Sequence, residues 1–385
     1  MVNSIKLRQI IATPVVVPTW ADSIMSEGME DDWSNSPAMG SMVNQSTGRV
    51  GEIPKYILRG RTEEGVVGIG ETYRMVNVEH LRRNARTLIG KNLMEMRWGN
   101  LDLPADREYD GFELVVYDLV GKGLGVPVHR LLGGACRRRV ECSMWTGRRT
   151  PVDAGRKGAE GMARGFDTIK FKCNQHDDVA AWAEEVRRQA GAGVKMIFDP
   201  NQRWGNFELA AEKIRALKDG GFNILAIEDP IDRTKLEDFG RLREIGLPIV
   251  LHIALSYAAF GQRAEDALRA LKLDAVDGFN FNGPMAAFVR LADLAELAGK
   301  PCWHGSGVDL GILEAGYLHA AAAAPACTWP SDIFGRLVRE HDLLREPIGF
   351  EGKFAVVPSG VGLGVEVDEG AVEHYRSGAD IDLGV

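Results

Sequence analysis

From about residue 138 onward, short apolar runs alternate with longer amphipathic stretches, and the runs are VECSMW, TIKFK, VKMIFD, ILAIED, PIVLHI, VDGFNF, KPCWHG and ACTWPSD. Runs of this length, rich in β-branched and aromatic residues, read as buried strands, and the stretches between them have helical spacing. Eight strand-helix units predict a parallel sheet closed into a barrel. The pattern before residue 138 is different. IKLRQIIATPVVVPTW reads as a first strand, since Pro14 and Pro18 and the lack of a small-residue cleavage pattern argue against a leader. KYILRGRTEEGVVGIGETY alternates and turns at Glu63-Glu64-Gly65, as a hairpin does. Residues 78 to 123 are helical in pattern, and Gly and Pro mark the end of GFELVVYDLVGKGLGVPVHRLLGG. The polar residues 19–50 have no periodicity and read as a surface excursion or a lid. Residues 350–385 return to alternating, turn-rich patterns. The division expected is 1–137 as an α+β domain, 138–349 as the barrel, and 350–385 rejoining the first domain.

Composition narrows the function classes. With 45% apolar and 26% charged residues, the 385-residue chain is an ordinary globular protein. Its net charge of -8 and the absence of a basic stripe argue against a nucleic-acid partner. The most apolar stretch, AAAAAPAC at 320–327, is far short of the roughly 20 residues that a membrane helix needs. Five cysteines without a Cys-x-x-Cys pair suggest a reducing, cytoplasmic setting.

Lys172, Asp199, Glu228, His252, Asn282, His304 and Asp332 recur at intervals of 22 to 30 residues, the length of one barrel unit, and each stands where a strand ends. That end of a barrel carries the chemistry. Lys170 and Lys172 alternate onto one face, so two ammonium groups crowd together and each is expected to depress the other's pKa, as suits a general base. Carboxylates ending the next two strands, Asp199 in IFDPN and Glu228 in AIEDP, suit a hard divalent cation. Asp229 and Asn201 are adjacent alternatives, because alternation does not settle which side chain turns inward.

These segments resemble the enolase superfamily, in its mandelate racemase, muconate cycloisomerase and glucarate dehydratase branches. The resemblance covers nearly the whole chain: GVVGIGETY and FELVVYDLVGKGLGVPVHRLLGG are similar to that family's capping domain, and IKFK, DPNQRW and IEDP to its base and metal strands. It implies that Lys172 is the base, that Lys170 modulates it and helps hold the substrate carboxylate, and that Asp199 and Glu228 bind Mg²⁺. It further implies a small-molecule carboxylate substrate, an enediolate stabilised by the metal, and a homo-oligomer.

Three positions depart from the family pattern. His252 stands where a third acidic ligand belongs, and an imidazole there suits Mn²⁺ or another borderline ion better than Mg²⁺. His304 matches the seventh-strand histidine that works as acid or base in two branches, yet Asn282 replaces that histidine's aspartate partner. Asp332 or Ser331 matches the eighth-strand acid only loosely. Asn201, Asn282, Asp309 and Asp332 are the candidates for substrate contact. Dehydration of a sugar acid or other hydroxy acid is the first expectation, with Lys172 as base and His304 as acid. Racemisation or epimerisation and cycloisomerisation are the alternatives, and a non-catalytic acid-binding barrel is the alternative from another class.

Overall fold

The computed structural model describes residues 4–27, 29, 51–74, 76–104, 106–254 and 264–385. Most of the expected 19–50 loop, from residue 30 onward, therefore lies outside the described residues. An antiparallel sheet is built from β1 (Leu7–Pro18), β2 (Glu52–Thr62), β3 (Val67–Glu71) and β14 (Ile381–Asp382), in the order β14-β1-β2-β3. The hairpin expected at Glu63-Glu64-Gly65 joins β2 to β3, and Gly65 takes a φ of 87° that only glycine adopts freely. The helix Tyr109–Leu124 lies on this sheet. It approaches so closely at Gly70 that a Cβ there would collide with the Gly111 carbonyl oxygen. The helix ends at Gly125 in the left-handed conformation, as its sequence suggests.

Seven of the eight expected barrel strands are present, as one parallel sheet. The sheet runs β5 (Met144–Thr146), β6 (Thr168–Lys172), β7 (Lys195–Asp199), β8 (Ile224–Glu228), β9 (Ile249–Ala254), β10 (Gly278–Asn282) and β11 (Cys302–His304). The eighth, ACTWPSD, is too irregular to extend the sheet but closes the ring by hydrogen bonds on both sides. Cys302 N–H donates to Ala326 and Asp332 N–H to the His304 carbonyl on one side, while Ser143 N–H donates to Ser331 on the other.

Ile197, Ala226, Val250 and Trp303 form a small core of their own inside the ring. The opposite strand faces, with Phe171, Phe198 and Phe281, join the main core under the helices. Beyond the barrel, β4 (Arg139–Glu141) pairs with β13 (Phe354–Val356), which pairs with β12 (Phe350–Glu351). Finally β14 (Ile381–Asp382) pairs with β1 in the first sheet. Among the described residues no helix is long and apolar enough to cross a membrane.

Candidate active site

Strand register decides which side chains meet. In the parallel pairings Lys172 lies beside Asp199, Lys170 beside Ile197, Ile197 beside Ala226, and Glu228 beside Val250. Because paired residues share a face, the lysines and both carboxylates point into the barrel with its inner core. Lys170 is fully buried there, its Nζ 2.6 Å from Glu228 Oε2, 2.6 Å from Asp332 Oδ2 and 3.2 Å from Asp199 Oδ2. Lys172 Nζ pairs with Asp199 Oδ2 and keeps 19% of its side chain exposed. Lys170 thus departs from the expectation of mutually depressed lysines. Burial alone would lower its pKa, but Asp332, Glu228 and Asp199 outweigh burial and hold it well above the usual lysine value. Asp199 is pressed well below the carboxylate range, since Lys172 and Lys170 overcome its burial. Burial, reinforced by Asp199, raises Glu228 to about 8.

The turns that follow β7 and β8 use positive φ at Asn201 (47°) and Asp229 (47°). These are left-handed positions that Asn and Asp tolerate best. Asn201 N–H donates to Asp199 Oδ1 at 3.0 Å. Asp229 accepts the His252 N–H at 2.9 Å and pairs with Arg233, so it ties β8 to β9. His252 follows the inward face of β9, and its Nδ1 is 3.4 Å from Glu228 Oε1. Burial first, and then Arg233 and Lys170, hold this imidazole neutral by pushing its pKa well below the usual histidine value. The oxygens of Glu228 and Asp229 and a ring nitrogen of His252 lie within 4.8 Å of one another. Two carboxylates and a neutral imidazole make a donor set that fits a divalent cation. Asp199, expected in the same set, lies beside it and faces the lysines.

Across the ring, Asn280 and Asn282 continue the inward face of β10, with Asn280 paired to His252 on one side and to Trp303 on the other. Asn280 Nδ2 donates to Glu228 Oε1 at 2.9 Å. Pairing also puts His304 beside Phe281, on the outward face, so the expected acid is not brought into the site. Its ring stacks between Phe288 and Tyr317 at 4.3 and 4.2 Å. Its Nδ1 lies 2.6 Å from the Gly305 carbonyl and must carry the proton there, and burial lowers its pKa to about 4. Trp303, one position earlier, is the inward residue. Asp309 is also not free for substrate: its oxygens accept from Lys55 Nζ at 2.6 Å, Gly307 N–H at 2.7 Å and Tyr317 O–H at 3.2 Å. Asp332 does reach the site, through Lys170.

The residues missing from the sequence reading come from the first sheet. Lys55 and Glu71 meet Asp309 in a buried ion cluster. Glu71 accepts the N–H groups of Leu310 and Leu313, at the start of the helix Gly311–Ala323. Tyr73, just past β3, donates its hydroxyl proton to Asn282 Oδ1. The segment 20–27 is tied to the turn after β5, because Arg149 donates to the carbonyls of Asp22 and Ser23 and Gly147 N–H to that of Ile24. A surface cleft of about 370 Å³ bordered by Met94, Met96 and Trp98 has none of the strand-end polar groups in its walls and is not the site.

Residues 154–371 match the family described as enolase C-terminal domain-like, more than half of the chain. The chain is 25% identical over 358 residues to N-succinyl-L-Arg/Lys racemase of Bacillus cereus, covering 87% of this chain and 94% of that protein. It is 28% identical over 274 residues to muconate cycloisomerase 1 of Rhodococcus opacus, covering 68% and 70%. The crystal structure of the B. cereus N-succinyl Arg/Lys racemase superposes with a TM-score of 0.79 at 21% identity, over 98% of this chain and all of that one.

Proposed function

The chain belongs to the enolase superfamily, and from that premise we propose that it is a metal-dependent isomerase which moves the α-proton of a carboxylate substrate on one face, with Lys172 as the single base. The observation that carries this reading is the placement of Lys172. It is the reachable amine at the barrel mouth, while Lys170 is sealed beneath it by three carboxylates. A divalent cation held by Glu228 and His252, with Asp199 or Asp229 beside them, would act as a Lewis acid toward the substrate carboxylate.

The chain's own groups do the rest. Lys170, held as an ammonium, offers fixed positive charge where negative charge grows on the substrate carboxylate. Asp332 and Glu228 hold that ammonium in place through its shortest contacts. Lys172 takes the α-proton while the bond between the β-carbon and an oxygen of the same molecule breaks, and returns it when that bond forms. No atom is lost, so the product is an isomer. The curated muconate cycloisomerase relative supports this reaction class. Dehydration loses its assigned acid, because His304 faces the helices. Racemisation, the activity in the name of the B. cereus relative, needs a proton on the opposite face as well, where this chain has two neutral amides.

Incubation of candidate acids in D₂O, followed by assignment of the label's stereochemistry, tests the reading. Deuterium on a single face of the α-carbon is expected. Exchange of both enantiomers at similar rates would transfer the chain to the racemases.

A further inference from the structure

Four buried polar atoms on β10 and β11 lack partners among the described residues: Asn280 Oδ1, Asn282 Nδ2, Trp303 Nε1 and His304 Nε2. His304 faces the helices, whereas Asn280, Asn282 and Trp303 lie on inward faces of the barrel. Leaving a buried donor unsatisfied costs roughly 1–3 kcal/mol, so such a group in a native barrel asks for an occupant. All three inward residues are buried, and Asn282, the last residue of β10, is the most telling because its carbonyl oxygen is already held.

Its amide is not free to turn. Tyr73 holds Asn282 Oδ1, Tyr317 O–H lies 2.9 Å from the Tyr73 hydroxyl, and Asp309 Oδ2 is 3.2 Å from Tyr317. Lys55 anchors Asp309 at 2.6 Å, and its ammonium also lies over the Tyr73 ring. This relay fixes the carbonyl end of Asn282 toward the first sheet and leaves its N–H edge facing away from that anchor. Gly305 completes the arrangement, since a Cβ there would stand 2.5 Å from Asn280 Oδ1 and 3.1 Å from Asn282 Cβ. The seventh strand is therefore bare where the two amides need room.

Strands two and six of an eight-stranded ring are diametrically opposed, so Asn282 stands across the mouth from Lys172. We infer that Asn282 is a substrate-binding donor on the face opposite the base, with Tyr73 as its positioning residue, and that it selects acids carrying a neutral oxygen acceptor such as a lactone, ester or amide carbonyl. A neutral amide donor, with no cation among its described hydrogen-bond partners, does not match a second carboxylate. The inference rests on the carboxylate of the substrate being held at the Lys170 side, as proposed above.

Two probes of one ring size separate the possibilities: 5-oxotetrahydrofuran-2-carboxylate, which carries a lactone carbonyl, and cyclopentanecarboxylate, which carries none. Calorimetric titration of the Mn²⁺-loaded protein is expected to give about tenfold tighter binding of the lactone acid, the size of one good hydrogen bond. Asn282→Ala should remove that preference and leave the affinity for cyclopentanecarboxylate as it was. Tyr73→Phe, which keeps the ring in place, should shrink the preference severalfold without touching the second probe, an outcome that a merely structural tyrosine would not produce. A wild-type protein that binds the probes alike, or binds neither, overturns the inference, as does a full preference in Asn282→Ala. Failure of the catalytic reading would show instead as α-proton exchange surviving in Lys172→Ala, and would leave the probe ratio unaffected.

Discussion

At the scale of single residues, the site depends on small allowances of space and phase. Gly305 is one such allowance. In Gly305→Ala the new methyl group must displace the Asn280 amide, which then loses its hold on Glu228. Overpacking of this kind costs about 1–3 kcal/mol, to be read from the denaturation midpoint, and turnover should fall with it. The charged members of the site were legible because their chemistry is unusual: Lys170 with Lys172, then Asp199, then Glu228, one strand-helix unit apart. His304 faces away from the other strand-end groups for a physical reason. The seventh strand is only three residues long, and its phase depends on pairing with Phe281, which no local pattern reveals. Tyr73 gave no signal because its partner, Asn282, is 209 residues away.

Elements make their own demands, and two are tied down by buried charge. The carboxylate of Glu113, in the helix Tyr109–Leu124, accepts the N–H groups of Met285 and Ala286, which open the helix Met285–Leu297. Burial raises Glu113 to about 7, above the ordinary glutamate value of 4.5. The folded state therefore holds this proton more tightly than the unfolded chain, so the contribution to stability is complete below the lower value and is lost as the pH rises through the higher one. The span is worth on the order of 3 kcal/mol. Glu113→Gln should be less stable than the wild type near pH 5 and should gain on it by pH 8 in urea titrations; parallel curves at the two pH values would contradict this. Arg149, fully buried, clamps the segment 20–27 through Asp22 and Ser23. Arg149→Ala should expose that segment to limited proteolysis and speed its amide exchange while the barrel stays protected. The strands and their order were legible in apolar runs of the right length. The eighth strand was legible only as a run, since its irregular hydrogen bonding comes from closing the ring.

For the whole molecule, the first sheet and the barrel are joined by charges that neither could bury alone. Lys55 from β2, Glu71 from β3 and Asp309 from the loop before the helix Gly311–Ala323 form a fully buried group. Lys55→Met leaves two carboxylates without their cation and should cost roughly 3–5 kcal/mol in thermal or denaturant unfolding. Loss of the Tyr317–Tyr73 contact to Asn282 should accompany it. Nothing in the local sequence announced this cluster, because Lys55 and Glu71 read as ordinary surface groups, and Asp309 as a substrate contact, until the sheet and the barrel are placed together. The same placement turns a family resemblance into a testable chemistry: one reachable amine at the mouth and two amides facing it.

The central claim is that Lys172 moves the α-proton. Its most direct test is the rate of α-proton exchange in D₂O, followed by NMR, for wild type and Lys172→Ala loaded with the same divalent metal. The account predicts that exchange in the variant falls by at least about a thousandfold while its unfolding transition and probe binding persist. Exchange at the wild-type rate in Lys172→Ala would contradict it.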